Sequence, residues 1–229
     1  MSPHPTIPEL ARRAKAASRL VARSSTDVRN DALETAADLL QADEAAVLAA
    51  NEQDLATAKA NGVSPTLLDR LQLTSVKIAG MADGLRQVAT LPDPVGEVID
   101  GWVRPNGLKI SRVRMPLGVV AIIYEMRPNV TSDAAALCLK SGNAAFLRGS
   151  SAAITSNTAI ESVLRSAYEK VGLPADALLL VPDTTREGAV TFMQQRGFVD
   201  CLIPRGGPAL IQSILDNATV PYVIDGDGN

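Results

Sequence analysis

The chain has 229 residues, 46% of them hydrophobic and only 3% aromatic, with 22 Lys+Arg against 25 Asp+Glu and a net charge of −3, the mixture of a soluble globular protein. That balance excludes global disorder and leaves no field to draw the chain to nucleic acid or to an anionic membrane surface. No apolar run approaches the roughly 20 residues of a membrane span.

The N-terminus, MSPHPTIPELARRAKAAS, carries no apolar stretch behind its positive charges, so a cytoplasmic address is expected rather than secretion. Residues 8–60 read as helices. Leu10, Ala14, Ala17, Leu20 and Val21 recur at three- and four-residue spacing, and so do Ala32, Leu33, Ala36, Leu39 and Leu40 after the cap-like Ser25-Thr26-Asp27. Asn61-Gly62 stops this run, Ser64-Pro65 starts another through Leu67, Leu68, Leu71 and Leu73, and Pro92-Asp93-Pro94 ends the helical section, 1–94. The breaks at Gly62, Pro65 and Gly80 exclude a coiled coil of three unbroken heptads. Between 95 and 115, VGEVIDGWVR and LKISRVRM alternate apolar and polar residues around Pro105-Asn106-Gly107, a hairpin with an Asn-Gly turn where positive φ is tolerated. Arg104, Lys109, Arg112 and Arg114 there form either an anion patch or a solvated strand face.

From residue 116 onward strands and helices alternate. Strands are expected at 118–124, 144–148, 177–181, 199–203 and 220–224, with helices at 133–140, 155–171, 186–196 and 208–216 between them. Apolar strands that do not alternate are covered on both faces, and strands separated by helices of this length give a parallel sheet. Residues 116–229 are therefore expected to form a Rossmann-like α/β domain, where ligands bind at the carboxyl ends of the strands. Three strand-to-helix loops stand out. Tyr124-Glu125-Met126-Arg127-Pro128-Asn129 packs two charges into one turn, with Arg127 either holding a carboxylate or phosphate or pairing with Glu125. Arg148-Gly149-Ser150-Ser151 leaves a strand with a cation and hydroxyls suited to a ribose or its 2′-phosphate. Arg205-Gly206-Gly207-Pro208 allows close backbone approach to a diphosphate, or is a plain tight turn. The chain has two cysteines, Cys138 and Cys201, both in apolar surroundings and expected to be reduced and buried, and one histidine, His4, so it holds neither a His/Cys zinc set nor a Ser-His-Asp triad.

The stretch from Arg114 through Tyr124-Glu125-Met126-Arg127-Pro128-Asn129-Val130-Thr131, with Asp133 to Asn143 and Leu147-Arg148-Gly149-Ser150, closely resembles the gamma-glutamyl phosphate reductases, or glutamate-5-semialdehyde dehydrogenases, of the aldehyde dehydrogenase superfamily. The likeness runs from the N-terminal helices through IPRGGPALI to VPYVIDGDGN; Met126 departs from the small residue more usual in the family. The resemblance implies an aldehyde dehydrogenase-like fold in which 1–94, 95–115 and 116–229 make one NADP-binding unit of a chain nearly twice as long, the catalytic cysteine lying beyond Asn229. It implies NADPH-dependent reduction of L-glutamyl 5-phosphate to glutamate 5-semialdehyde in proline synthesis, a small-molecule substrate, and room for a homo-oligomer of the full-length form. By position, Arg148 and Ser150 would meet the adenosine ribose, Arg205, Gly206 and Gly207 the diphosphate, and Glu125, Arg127 and Asn129 the nicotinamide and substrate. No residue of this chain is assigned as catalytic or metal-binding, and a truncated, inactive nucleotide-binding fragment is the alternative.

Overall fold

The computed structural model describes residues 5–224. Residues 1–4, His4 among them, and residues 225–229 at the end of the expected α/β domain lie outside the described residues. Helices come first: α1 (Ile7–Val21), α2 (Thr26–Ala42), α3 (Glu44–Ala60), α4 (Pro65–Leu71) and α5 (Ser75–Thr90). Each start has a local cause. The Thr6 N–H donates to the Glu9 carboxylate at 2.7 Å and Pro8 fits the first turn of α1, while the Ser25 and Thr74 hydroxyls accept the N–H groups of Val28 and Lys77. Leu73 lies outside α4, in the short link before α5.

The hairpin is β1 (Val98–Val103) against β2 (Lys109–Val113), antiparallel. Its turn differs from the expected Asn-Gly pair in positive φ: only Gly107 has positive φ, at 84°. Gly107 N–H donates to the Arg104 carbonyl at 2.8 Å and Arg104 N–H to the Leu108 carbonyl at 2.9 Å, a three-residue loop that Pro105 starts and Gly107 closes. Arg112 pairs with Asp100 at 2.9 Å and Arg114 with Glu97 at 2.7 Å, so half of the cationic cluster is a solvated strand face.

The remainder alternates β3 (Val119–Tyr124), α6 (Asn129–Lys140), β4 (Ala144–Arg148), α7 (Ile154–Lys170), β5 (Leu178–Leu180), α8 (Arg186–Met193), β6 (Cys201–Arg205) and α9 (Pro208–Asn217). The four strands form one parallel sheet in the order β5-β4-β3-β6, the α/β architecture with a helical N-terminal part read from the sequence. All of β3 is buried because both faces are covered: Val119, Ala121 and Ile123 pack towards α1, α8 and α9, whereas Val120, Ile122 and Tyr124 pack towards α2, α5, α6 and α7. Several boundaries depart from the expectation, and α8 ends at Met193 rather than at 196. Helix α6 starts at Asn129, not 133, because Pro128 with φ −58° already sits in helical geometry. Strand β6 runs 201–205 rather than 199–203. The segment at 220–224 is no full strand: it touches β6 through one bridge, Leu202 to Tyr222, with Leu202 N–H donating to the Pro221 carbonyl at 2.8 Å, and Pro221 has no N–H to extend it.

Candidate functional site

The sheet order changes direction at β3, since β4 follows on one side and β6 lies on the other. A crevice outside the carboxyl ends of β3 and β6 is therefore where an open parallel sheet binds its ligand. The loops that frame it are the three singled out in the sequence, and they fall into three neighbouring compartments.

In the first, Glu125 reaches across from the end of β3 to the turn before α9. Its Oε1 accepts the Gly207 N–H at 2.9 Å, and a Cβ on Gly206 would lie 2.8 Å from that same oxygen and 2.7 Å from Leu210. The two glycines leave room for a carboxylate at a helix N-terminus, where free N–H groups favour negative charge. Arg127 makes no ion pair with Glu125. Among the described residues it has no ion-pair partner within 4 Å, and its side chain is exposed. Met126 packs against the small buried cluster of Ala58, Leu71 and Ala153, which ties the loop down between its two exposed charges.

In the second compartment, at the end of β4, Arg148 is buried and donates through Nη2 to the Thr185 carbonyl at 2.6 Å. Thr185 caps α8 and binds the Asp183 carboxylate through both its N–H, at 2.9 Å, and its hydroxyl, at 2.6 Å. Burial works against the Arg148 charge and Asp183 restores part of it. Asp183 in turn is held below the usual carboxylate range by the Thr185 hydrogen bonds, with Arg148 adding to the effect. Three buried polar atoms gather near the β4 end with no partner among the described residues: Arg148 Nε, Ser150 Oγ and Asn157 Nδ2. A Cβ on Gly149 would strike Asn157 Nδ2 at 2.2 Å. Unsatisfied buried donors are rare in folded proteins, and a hydroxyl-bearing or anionic ligand at this loop would satisfy those it can reach, so Arg148 and Ser150 fit a nucleotide ribose or phosphate.

The third compartment is a cavity of about 710 Å³ between α5, α6 and the β3/β6 side of the sheet, with Arg205 and Asp133 among the residues that line it. Thus Arg205 shares a turn with Gly206 and Gly207, but its side chain faces the other way. Asn129 donates to Asp133 Oδ2 at 3.0 Å. Sequence reasoning missed Asp133, Asn157 and Asp183. Asp183-Thr184-Thr185 before a helix is a capping pattern that could have marked the last of these, whereas nothing local marks the burial of Asn157.

Both cysteines are free and buried. Desolvation pushes the Cys138 thiol up to about 12, and Cys201 also lies above its ordinary value. Neither is an activated nucleophile. Among the described residues no three His, Cys, Asp or Glu side chains converge to hold a metal ion, and no helix is long and apolar enough to cross a membrane.

A parallel α/β sheet with helices on both faces, loops converging at its carboxyl edge and a bundle of N-terminal helices behind it is the architecture of an aldehyde dehydrogenase-like fold. Residues 4–223 match the model of the aldehyde dehydrogenase family, and the chain belongs to that family. Its curated relatives include a gamma-glutamyl phosphate reductase of Anoxybacillus flavithermus, 51% identical over 219 residues, which are 96% of this chain and 53% of that one. Among solved structures, the gamma-glutamyl phosphate reductase of Thermotoga maritima superposes with a TM-score of 0.96 at 40% identity over 98% of this chain and 54% of its own length, and that of Saccharomyces cerevisiae with 0.89 at 31% identity over 98% and 57%. The chain spans about half the length of the relatives it matches.

Proposed function

We propose that this chain forms the cofactor-binding part of an NADPH-dependent gamma-glutamyl phosphate reductase, which converts L-glutamyl 5-phosphate to L-glutamate 5-semialdehyde and phosphate in proline synthesis. The observation that carries the reading is the likeness to relatives of that name, about half identical over nearly the whole chain. In the reaction a cysteine thiolate attacks the acyl carbon and phosphate leaves. NADPH, when bound, would supply the hydride that reduces the acyl group to the aldehyde, with the thiolate as leaving group. Arg148 and Ser150 would hold the ribose and its 2′-phosphate, and the N–H groups of the Arg205-Gly206-Gly207 turn the diphosphate, once Glu125 yields its place on Gly207. Arg127 and Asn129 border the substrate. Cytoplasmic location and a homo-oligomer of the complete enzyme belong to the same reading. The assembly is supported by the hairpin, whose Val98, Trp102 and Val103 are 60%, 49% and 63% exposed, an apolar surface suited to burial against a partner.

A second reading, a nucleotide-binding fragment without activity of its own, is favoured by the state of the two thiols, neither of which is exposed and activated. The two meet in one prediction: the 229-residue chain alone binds NADPH weakly or not at all and turns over nothing. Titration of the purified chain with NADPH, followed by nucleotide fluorescence, and an assay of phosphate-dependent semialdehyde oxidation check it. Turnover by the isolated chain would contradict both the nucleophile's absence and the fragment reading.

A further inference from the structure

The cavity beside the crevice carries chemistry that the cofactor does not use. One face of α6 lines it, Val130, Asp133, Ala134 and Leu137 recurring at helical spacing, with Val120 and Ile122 of β3 and Ile203 of β6 as an apolar floor. Asp133 and Arg205 belong to the same wall. They attract one another, yet neither has an ion-pair partner within 4 Å among the described residues. Only the Asn129 amide, at 3.0 Å, engages the Asp133 carboxylate. An exposed anion and an exposed cation on one wall, neither of them in an ion pair and both with apolar surface beside them, are complementary to a zwitterion with a short aliphatic tail.

We propose that this cavity binds the α-amino acid head of the glutamyl substrate, Asp133 taking the α-ammonium and Arg205 the α-carboxylate while the methylenes rest on the apolar floor. Although both side chains are exposed, the cavity wall desolvates the Asp133 carboxyl and raises it above its ordinary value against the pull of Asn129 and Arg205, and an incoming ammonium would offset that cost. Asp133 and Arg205 would then determine specificity for an amino acid over a plain aldehyde or dicarboxylate.

The inference rests on the glutamyl reading of the function, and its test leaves the nucleotide out so that the two fail separately. The isotope-labelled 229-residue chain is titrated by NMR with L-glutamate, with glutarate, which lacks the ammonium, and with 5-aminopentanoate, which lacks the α-carboxylate. L-glutamate is expected to shift the amides of residues 130–137 and 203–205 and to bind roughly fivefold or more tighter than either analogue, as one charge-assisted contact provides. Asp133→Asn should erase the preference over glutarate, and Arg205→Gln that over 5-aminopentanoate, with the thermal midpoints nearly unchanged. Equal binding of the three compounds, shifts elsewhere in the chain, no shifts at all, or a preference that survives Asp133→Asn would overturn the proposal. A parallel NADPH titration of the complete enzyme that still succeeds would leave the cofactor reading in place.

Discussion

In the proposed function, Arg148 and Asp183 would act in opposite senses on the 2′ position of the cofactor ribose. A guanidinium favours a 2′-phosphate, whereas a carboxylate favours a free 2′-hydroxyl and repels the phosphate. In the complete enzyme, Arg148→Ala should raise KM for NADPH by about one to two decades and change that for NADH little, the size of a lost charge-assisted contact. Asp183→Asn should act with the opposite sign, improving NADPH relative to NADH. Equal losses of both cofactors in Arg148→Ala would reduce the arginine to its bond with the Thr185 carbonyl. Arg127, free of any ion pair to Glu125, should tolerate replacement structurally. Both Arg127→Lys and Arg127→Ala are expected to cut turnover at least about a hundredfold, near the ~2.7 kcal/mol of one transition-state contact, with the thermal midpoint moved by only a few degrees. An early-melting variant with full activity per folded molecule would return Arg127 to the scaffold. The three loops were legible in the sequence because glycine and charge at a strand end are local signals. Their division into compartments was not, since the side-chain directions of Glu125 and Arg205 depend on where β6 lies, 77 residues after β3 ends.

At the scale of elements, polar side chains from one helix finish another. Asp54 on α3 accepts the Thr155 N–H at 3.2 Å and the Ser156 N–H at 2.7 Å at the start of α7, which has no cap of its own. On α7, Glu161 accepts the Leu180 N–H at 3.0 Å and Arg165 donates to the Leu178 carbonyl at 2.7 Å, so the outer edge of β5 is closed against further strand pairing. The Pro92-Asp93-Pro94 stop holds the buried Arg29 through Asp93. Burial alone would raise the Asp93 carboxyl, but hydrogen bonds from Thr26, from the Val95 N–H and from Arg29 bring it below its ordinary value. A carboxyl depressed in the fold contributes stability that is complete above its unfolded value of about 3.9 and is lost as pH falls through the folded value. Stability followed by denaturant midpoint should therefore fall in acid, with a component that Asp93→Asn removes. Asp93→Ala at neutral pH should cost about 3–5 kcal/mol, because Arg29 is left buried without its counter-charge. A loss below about 1 kcal/mol would mean that the Ser24 carbonyl, which Arg29 also binds at 2.6 Å, suffices. Helices and strands were legible from period and punctuation. These clasps were not, because they join residues up to 102 positions apart.

Over the whole molecule, two apolar layers enclose one parallel sheet while the hairpin stands out with its strands exposed. The sequence pattern foretold the hairpin's pairing but not its nakedness, since alternation ordinarily signals one buried face. The segment at 220–224 shows the converse limit: Val, Tyr and Ile suggested a strand, and Pro221 leaves a single bridge to β6. In the proposed function the crevice serves reduction of an acyl phosphate with release of phosphate, so in the reverse direction phosphate is the co-substrate that separates such an enzyme from an ordinary aldehyde dehydrogenase. The most direct measurement is reduction of NADP by glutamate 5-semialdehyde, with and without inorganic phosphate, in a protein that joins this chain to the half found in its relatives. Rapid formation of NADPH that requires phosphate is the expected result. Oxidation that proceeds equally without phosphate, or that prefers a simple aliphatic aldehyde, would contradict the account.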